Sequence, residues 1–359
     1  MNISGRGSNL KIVHICQRYH PDIGGIETHV KEICEMLIKK GFDVEVVCTD
    51  ASFKLPKHET INGVKVTRFW TFAPRDAFFF SPQIYFYLKG LEYDVIHVHN
   101  YHTFLALFAA LANKTRLIFT PHYHGGSHSP LRNLLLKPYY AAGSYIFEKA
   151  EKVVCVSRYE MKLIKNDFNI PSSKLVHIPN GLNLEEFKEI KELKKESKNI
   201  LYAGRLESYK GVNHIIEALT LLKDYRLKII GKGPHEKKLR ELALKLKVND
   251  KIDWLKDIER SELLAHFKSA DVFVNLSTFE AYGITVAEAL ACGTPCIVVK
   301  KGALEEFIDG KGCIGLSYPI DVHDLVRAIK IRERITPRKM LDWDDITSDL
   351  IKLYYPRKL

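Results

Sequence analysis

Long apolar runs are absent from this sequence, and none reaches the roughly 18–20 residues that a membrane-spanning helix requires. The first residues, 1–8, are polar and lack the apolar stretch of a secretory signal peptide. Cysteine is also scarce: there are seven, with no Cys-x-x-Cys pair, and most lie inside apolar runs. We therefore expect a cytoplasmic protein whose thiols are reduced and buried, and we expect no metal site.

Signals for nucleic-acid binding are missing too, although the formal net charge is +11. There is no aromatic-basic RNA motif and no helix-turn-helix pattern, so we expect no nucleic-acid partner. Residues 1–178 carry 22 Lys and Arg against 15 Asp and Glu, a balance of +7. The remainder carries 32 against 28, a balance of +4. The basic first half is suited to an anionic substrate or to peripheral contact with anionic lipid.

At 359 residues the chain is long enough for two domains, each with its own core. Short β-branched apolar runs, such as 11–16 and 199–203, alternate with longer helical patterns, such as 26–40 and 212–222. This alternation predicts two doubly wound α/β domains. A charge-dense segment, 184–198, separates the two series and is interpreted as a linker. The predicted parts are an N-terminal Rossmann-like domain over 1–188, a C-terminal Rossmann-like domain over 189–340 and a terminal helix over 341–359.

Two glutamates stand near the start of one predicted helix in the segment 277–295, STFEAYGITVAEALACGTP. The helix is predicted over 286–291, because Gly293 is typical of a helix end. Glu280 then lies in the preceding loop and Glu288 in the first turn. Helix N-termini offer backbone donors suited to phosphate. A surface acid beside a helix dipole is the alternative.

A glycine pair follows the first predicted strand in the segment 21–27, PDIGGIE. Gly24 and Gly25 allow backbone N–H groups to approach an anion closely, at the start of a long amphipathic helix. Such a turn is common and is a weak signal when taken alone.

A second anion site is predicted in the segment 203–211, AGRLESYKG, which follows the first strand of the second half. Arginine offers bidentate contacts to phosphate, and lysine offers a point charge. Arg205 and Lys210 would therefore suit an anionic phosphate group of a ligand. A solvated pair of cations on a loop is the alternative. The next turn contains Gly231 and Gly233, which either border a bound ligand or serve only the turn.

Histidine is concentrated in the first half, with 11 of 15 residues before position 179. His97, His99 and His102 cluster at one strand end, and His122 and His124 follow the next strand. We expect these clusters to line the ligand-binding face of the domain. So many imidazoles would suit a metal, but Arg205 and Lys210 already supply the cationic role, so no metal is predicted. A core or surface position is the alternative for each histidine taken singly.

These motifs recur in order and resemble those of the family 4 retaining glycosyltransferases. The resemblance implies the GT-B fold, in which two Rossmann-like domains face each other across a cleft. It also implies a nucleotide diphosphate sugar, GDP- or UDP-linked, as donor substrate, and no required cofactor. The family usually has a glycine after the strand at 251–255, whereas Lys256 and Asp257 stand here, so the base is left open.

Site roles also follow from the resemblance. Arg205 and Lys210 would hold the departing diphosphate, Glu288 the ribose hydroxyls and Glu280 the sugar hydroxyls. His122 or His124 would face the transferred sugar. The remaining implied donor contacts are Gly24, Gly25, Gly231, Gly233, Tyr282, Gly283, Ile284 and Thr285. The terminal helix would cross back onto the first domain.

The acceptor is not defined by these motifs. The aromatic segment 77–88, beside Arg75, either packs on the sheet, lines an acceptor groove or meets a membrane interface. We expect a glycan or a lipid-linked acceptor, in glycolipid or cell-surface glycan synthesis, with the protein in the cytoplasm or at the inner face of the membrane. The alternative functions are an epimerase-like or phosphorylase-like enzyme of the same architecture and a catalytically silent sugar-binding protein.

Overall fold

A computed structural model of the chain describes residues 10–74, 78–125, 130–194 and 198–355, with the backbone alone for 130–138. The chain divides into two compact units, the first formed by Met1–Gly181 with Trp343–Leu359 and the second by Leu182–Asp342. The division therefore falls after Gly181 and not after residue 188. The segment predicted as a linker belongs to the second unit, where Phe187 and Ile190 pack against the core.

The strands are β1 (Lys11–Ile15), β2 (Asp43–Thr49), β3 (His58–Ile61), β4 (Val64–Phe69), β5 (Val95–His99), β6 (Arg116–Thr120), β7 (Lys152–Cys155), β8 (Leu175–His177), β9 (Lys198–Ala203), β10 (Tyr225–Ile230), β11 (Ile252–Leu255), β12 (Val272–Asn275), β13 (Cys296–Val299) and β14 (Cys313–Leu316). The α-helices are α1 (Gly25–Lys39), α2 (Gln83–Gly90), α3 (Phe104–Ala112), α4 (Pro130–Lys149), α5 (Arg158–Phe168), α6 (Val212–Ala218), α7 (Glu236–Lys245), α8 (Arg260–Ser269), α9 (Ile284–Ala291), α10 (Val322–Lys330) and α11 (Trp343–Tyr354). Short 3₁₀ helices are Leu184–Phe187, Ser208–Lys210, Leu219–Leu221, Asn249–Lys251 and Gly302–Phe307.

The first unit contains an eight-stranded sheet in the order β3-β4-β2-β1-β5-β6-β7-β8. All neighbouring strands are parallel except the hairpin of β3 and β4 at one edge. Strands β1, β2 and β5 are almost wholly buried, which is why they read as continuous apolar runs. The terminal helix α11 packs against α1 in this unit, and its Trp343, Ile346 and Leu350 are buried.

The second unit contains a six-stranded parallel sheet in the order β11-β10-β9-β12-β13-β14. Strand order reverses on either side of β9, so the loops after β9 and β12 leave the same edge of the sheet. That is the position at which doubly wound sheets bind ligands. The two loops carry the segment with Arg205 and Lys210 and the segment with Glu280.

Among the residues that the structure describes, no helix combines the length and the apolar character needed to span a membrane. In the aromatic segment, Phe79 is buried, as are Ile84 and Leu88 of α2, whereas Phe86 is 72% exposed. Arg75 and Ala77 lie outside the described residues.

Candidate functional site

Lys210 and Glu280 form a direct ion pair at the carboxyl edge of the second sheet. Nζ of Lys210 lies 2.6 Å from Oε1 of Glu280, and the side chains are 14% and 18% exposed. Burial works against the charged ammonium, but the Glu280 carboxylate outweighs it and raises the pKa of Lys210. Lys210 therefore remains a fixed cation at physiological pH.

Tyr209 lies close to both groups of this pair and to Arg205, because the charges of all three act on its hydroxyl. Nζ of Lys210 lies 5.3 Å from the centre of the Tyr209 ring, and the Tyr209 carbonyl accepts a hydrogen bond from the Thr278 amide at 3.0 Å. That backbone bond joins the two loops. Arg205 keeps 53% of its side chain exposed, with Nε 3.2 Å from Oε1 of Glu207. Arg205, Lys210 and Glu280 thus share one neighbourhood, and Arg205 faces solvent.

Glu288 lies in the second turn of α9, not in the first turn as predicted, because the helix begins at Ile284, two residues earlier than expected. The side chain is almost fully buried, and its Oε1 accepts a hydrogen bond from Arg260 at 2.5 Å. Nε of the same arginine donates to Oε2 of Glu186 at 2.9 Å. Burial raises the pKa of Glu288 although Arg260 opposes the change. The paired glutamates therefore have different cationic partners.

Arg260 and Glu186 were not found by sequence reasoning. Arg260 is the first residue of α8, and Glu186 lies in a 3₁₀ helix. Neither shares a motif or a spacing with Glu288, so the sequence holds no signal that joins them.

The segment from Tyr282 to Thr285 forms the start of α9. The Tyr282 ring packs at 5.4 Å from that of Phe307, and burial raises the pKa of its hydroxyl to about 12. Gly283 caps the helix with a φ of 109°, where a side chain would be strained. Ile284 and Thr285 are half-buried in the first turn.

Gly231 and Gly233 have a clear packing role. A Cβ on Gly231 would stand 2.0 Å from the Gly204 carbonyl oxygen, and one on Gly233 would stand 2.3 Å from that of Leu206. The Leu206 amide also donates to the Lys232 carbonyl at 3.0 Å. The loop after β10 therefore lies directly against the loop that carries Arg205.

In the first unit, Gly24 is the N-cap of α1 and has extended backbone. A Cβ on Gly24 would meet the Glu27 carboxylate at 2.3 Å, whereas one on Gly25 would have no neighbour within 4 Å. Glu27 is buried, and Arg18 Nε lies 3.4 Å from its Oε1. Packing therefore explains the glycine at Gly24 but not the one at Gly25.

The predicted histidine clusters are buried to different degrees. His97 and His99 on β5 are fully buried inside the first unit, so the expectation that they line the ligand-binding face was wrong. His122 has a φ of 49° and is 8% exposed, whereas His124 is half-buried and stacks on His102 at 4.9 Å.

The segment that carries these two histidines is held by the buried Glu160. Its Oε1 accepts a hydrogen bond from the Tyr123 amide at 2.5 Å, and its Oε2 accepts one from the Val156 amide at 2.7 Å. The Glu160 amide in turn donates to Oγ of Ser157, which is the N-cap of α5. Burial raises the pKa of Glu160 to about 8.

Two family models match the chain. One, described as Glycosyltransferase Family 4, matches residues 23–186, and the other, described as Glycosyl transferases group 1, matches residues 183–335. Together they span most of the sequence, and they meet near the boundary between the two units.

Known proteins are similar over most of this chain. An uncharacterised glycosyltransferase of Methanocaldococcus jannaschii is 28% identical, over 96% of this chain and 98% of the relative. A GDP-mannose:cellobiosyl-diphosphopolyprenol alpha-mannosyltransferase of Komagataeibacter xylinus is 27% identical, over 82% of this chain and 76% of the relative. The sucrose-phosphate synthase structure from Thermosynechococcus elongatus aligns with a TM-score of 0.83 at 19% identity, over 96% of this chain and 98% of that one.

The structural likeness confirms the predicted GT-B class of fold, with two Rossmann-like units. The model described as Glycosyl transferases group 1 covers the segments that carry Arg205, Lys210, Glu280 and Glu288. The chain therefore belongs to the family 4, group 1 glycosyltransferases.

Proposed function

We propose that this glycosyltransferase moves a hexose from a nucleotide diphosphate sugar to an acceptor hydroxyl with retention of anomeric configuration. The observation that carries the proposal is the Lys210–Glu280 pair, 2.6 Å apart, beside the exposed guanidinium of Arg205. A cation and a carboxylate on neighbouring loops suit a substrate with an anionic diphosphate next to a polyhydroxylated ring.

The leaving group is a diphosphate that gains negative charge as the glycosidic bond breaks. We propose that Arg205 and Lys210 stabilise that negative charge. Arg205 is exposed and can form bidentate contacts with phosphate oxygens. Lys210 is held in place by Glu280, so it needs little reorganisation during the reaction. With these cations in place, the proposed transfer requires no metal ion.

The carboxylates of Glu280 and Glu288 bind different parts of the donor substrate. Glu280 accepts hydrogen bonds from sugar hydroxyls with the oxygen that Lys210 does not occupy, and Glu288 accepts them from the ribose. Because Arg260 already holds Oε1 of Glu288, it fixes the orientation of that carboxylate. The loop of Tyr282 and Gly283 and the first turn of α9, with Ile284 and Thr285, complete the donor contacts.

The first unit supplies the other predicted donor contacts. These are the backbone amides of Gly24 and Gly25 and the side chain of His122 or His124. The departing phosphate takes the proton of the acceptor hydroxyl on the face from which it leaves. Retention then needs no nucleophile from the protein.

We propose GDP-mannose or a UDP-sugar as the donor and a glycan or lipid-linked acceptor, in glycolipid or cell-surface glycan synthesis. The name of the Komagataeibacter relative gives GDP-mannose and a diphosphopolyprenol-linked acceptor, which supports this range. An acceptor of that kind would bring the protein to the inner face of a membrane from the cytoplasm.

Thermal unfolding against a panel of nucleotide sugars tests the donor, because a ligand at 100 times its Kd stabilises the folded protein by about 2.7 kcal/mol. Release of nucleoside diphosphate from the stabilising donor then tests catalysis. Stabilisation without release, with lipid-linked and glycan acceptors present, would favour a silent binding protein. No stabilisation by any GDP- or UDP-sugar would contradict the proposed substrate class.

A further inference from the structure

Five buried histidines form one cluster inside the first unit. They are His14 on β1, His29 on α1, His97 and His99 on β5, and His122 after β6, and all are at most 8% exposed. Buried imidazoles are polar groups, so each nitrogen needs a partner to offset its lost hydration. The transferase chemistry proposed above uses His122 at most, which leaves the cluster without an assigned role.

Four of these side chains keep a nitrogen without a hydrogen-bond partner among the described residues. They are Nε2 of His14, Nε2 of His29, Nδ1 of His99 and Nε2 of His122. The ring of His29 lies 5.4 Å from that of His99 and 5.0 Å from that of His122, centre to centre. One nitrogen from each of these last three residues lies within 4.8 Å of the others. Unpartnered polar atoms on three neighbouring buried side chains are unusual.

The other nitrogens of His29 and His99 are held by neighbours. Nδ1 of His29 lies 2.9 Å from Oδ1 of Asn180. Because an amide oxygen only accepts, His29 carries its proton on Nδ1 and presents a lone pair at Nε2. Nε2 of His99 lies 3.0 Å from Nδ1 of His14, and a proton on that Nε2 leaves a lone pair on Nδ1. Such outer hydrogen bonds orient the histidine ligands of metal sites.

Charge also suits a cation here. Burial lowers the pKa of His29 to about 4 and the pKa values of His99 and His122 well below their ordinary range. All three are therefore neutral at pH 7, the form in which imidazole binds metals.

We propose that His29, His99 and His122 bind one first-row transition-metal dication that prefers imidazole nitrogen, of which Zn²⁺ is the representative. The set contains no carboxylate, so it does not suit Mg²⁺ or Ca²⁺. Zinc–nitrogen bonds of about 2.0–2.1 Å require the three nitrogens to draw together slightly on binding. The ion would join α1, β5 and the segment after β6.

A second histidine set is less suitable. His14, His97 and His99 also place nitrogens within 4.8 Å of one another. However, Nδ1 of His97 lies 2.7 Å from the Tyr354 hydroxyl, and its Nε2 lies 2.7 Å from Oγ1 of Thr120. Both ring nitrogens of His97 therefore already have hydroxyl partners, so His97 serves as a buried control residue. With His122 bound to metal, His124 is left for the sugar contact.

The test uses the full chain, freed of metal by a chelator and titrated with ZnSO₄ by calorimetry, with metal content measured by mass spectrometry. We expect one zinc per chain. His29→Gln and His122→Gln should each weaken binding by at least about 100-fold, and Asn180→Leu by about 10–100-fold. His97→Gln, and His323→Gln at the surface, should bind as tightly as the wild type. Far-UV circular dichroism checks that each variant is folded.

If a variant does not fold, Co²⁺ substitution in the wild-type protein tests the metal site instead. A four-coordinate Co²⁺ visible spectrum, with the scattering pattern of histidine imidazoles in X-ray absorption, would support the site. An octahedral, oxygen-rich ion would overturn it, as would absence of stoichiometric zinc, unchanged affinity in His29→Gln, or equal loss in His323→Gln. None of these readouts depends on sugar transfer, so the two proposals fail independently.

Discussion

Lys210 offers a sharp test, because its proposed role in catalysis and its pairing with Glu280 are separable by substitution. Lys210→Ala removes a fixed cation from the proposed leaving group, and loss of one such contact lowers kcat by about 10²–10³. It also leaves Glu280 without a partner. Since the two side chains are 14% and 18% exposed, we expect a stability cost of about 1–3 kcal/mol, less than that of breaking a fully buried pair.

Nucleoside diphosphate release and thermal unfolding measure the two effects. At about 2–4 °C per kcal/mol, Tm should fall by roughly 2–12 °C. Adding Glu280→Gln to Lys210→Ala removes the unpaired charge, so Tm should recover while release stays low. The matched control is Lys188→Ala, whose pair with Glu185 is 64% and 75% exposed, and we expect a change within about 0.5 kcal/mol. Release by folded Lys210→Ala at the wild-type rate would refute the leaving-group role.

Three further predictions concern the scaffold. Burial raises the pKa of Glu160 from 4.5 to about 8. Between these pH values the folded state holds a proton on Glu160 that the unfolded state has lost. The free energy of unfolding contributed by this group therefore falls as pH rises through that window. The free energy of unfolding should fall by at most about 1.4 kcal/mol per pH unit, and this slope should be missing from Glu160→Gln when urea unfolding is followed at several pH values. Gly25→Ala should leave Tm nearly unchanged yet weaken donor binding, whereas Gly231→Ala should lower Tm because its Cβ would meet backbone at 2.0 Å; equal Tm values would contradict the packing. Leu350→Ala should cost about 2–5 kcal/mol in chemical denaturation, and a cost below 1 kcal/mol would contradict the buried position of α11.

Much of the fold was predictable because buried parallel strands have a distinctive composition. The predicted runs 11–16 and 199–203 correspond to β1 and β9, and each agrees with the observed bounds to within one residue. The hairpin strand β3 was missed. Its side chains alternate between exposed and half-buried positions, so it lacks the continuous apolar run that marks the other strands.

The loops of the site could be located from sequence, but not their partners. Glycines and charged residues after strands β9 and β12 marked the positions of Lys210 and Glu280. Their ion pair depends on which strands are neighbours, and β9 and β12 are far apart in the chain. The Arg260–Glu288 contact has the same origin.

The histidine positions were the least predictable feature. Residues at the ends of parallel strands usually face the ligand-binding edge, which led to the wrong expectation for His97 and His99. In the structure both are buried, and His97 bonds the Tyr354 hydroxyl of α11, a helix far along the chain. No local sequence pattern predicts a contact between residues that lie so far apart in the chain.

The return of the last helix to the first unit bears on how the protein is made. Residues 182–342 form one uninterrupted unit, which can fold as soon as it leaves the ribosome. The N-terminal unit, although most of it is synthesised first, lacks the helix that covers α1 until residues 343–354 have been made. Part of its apolar surface is thus exposed until then, so this unit is the one expected to need chaperones during synthesis.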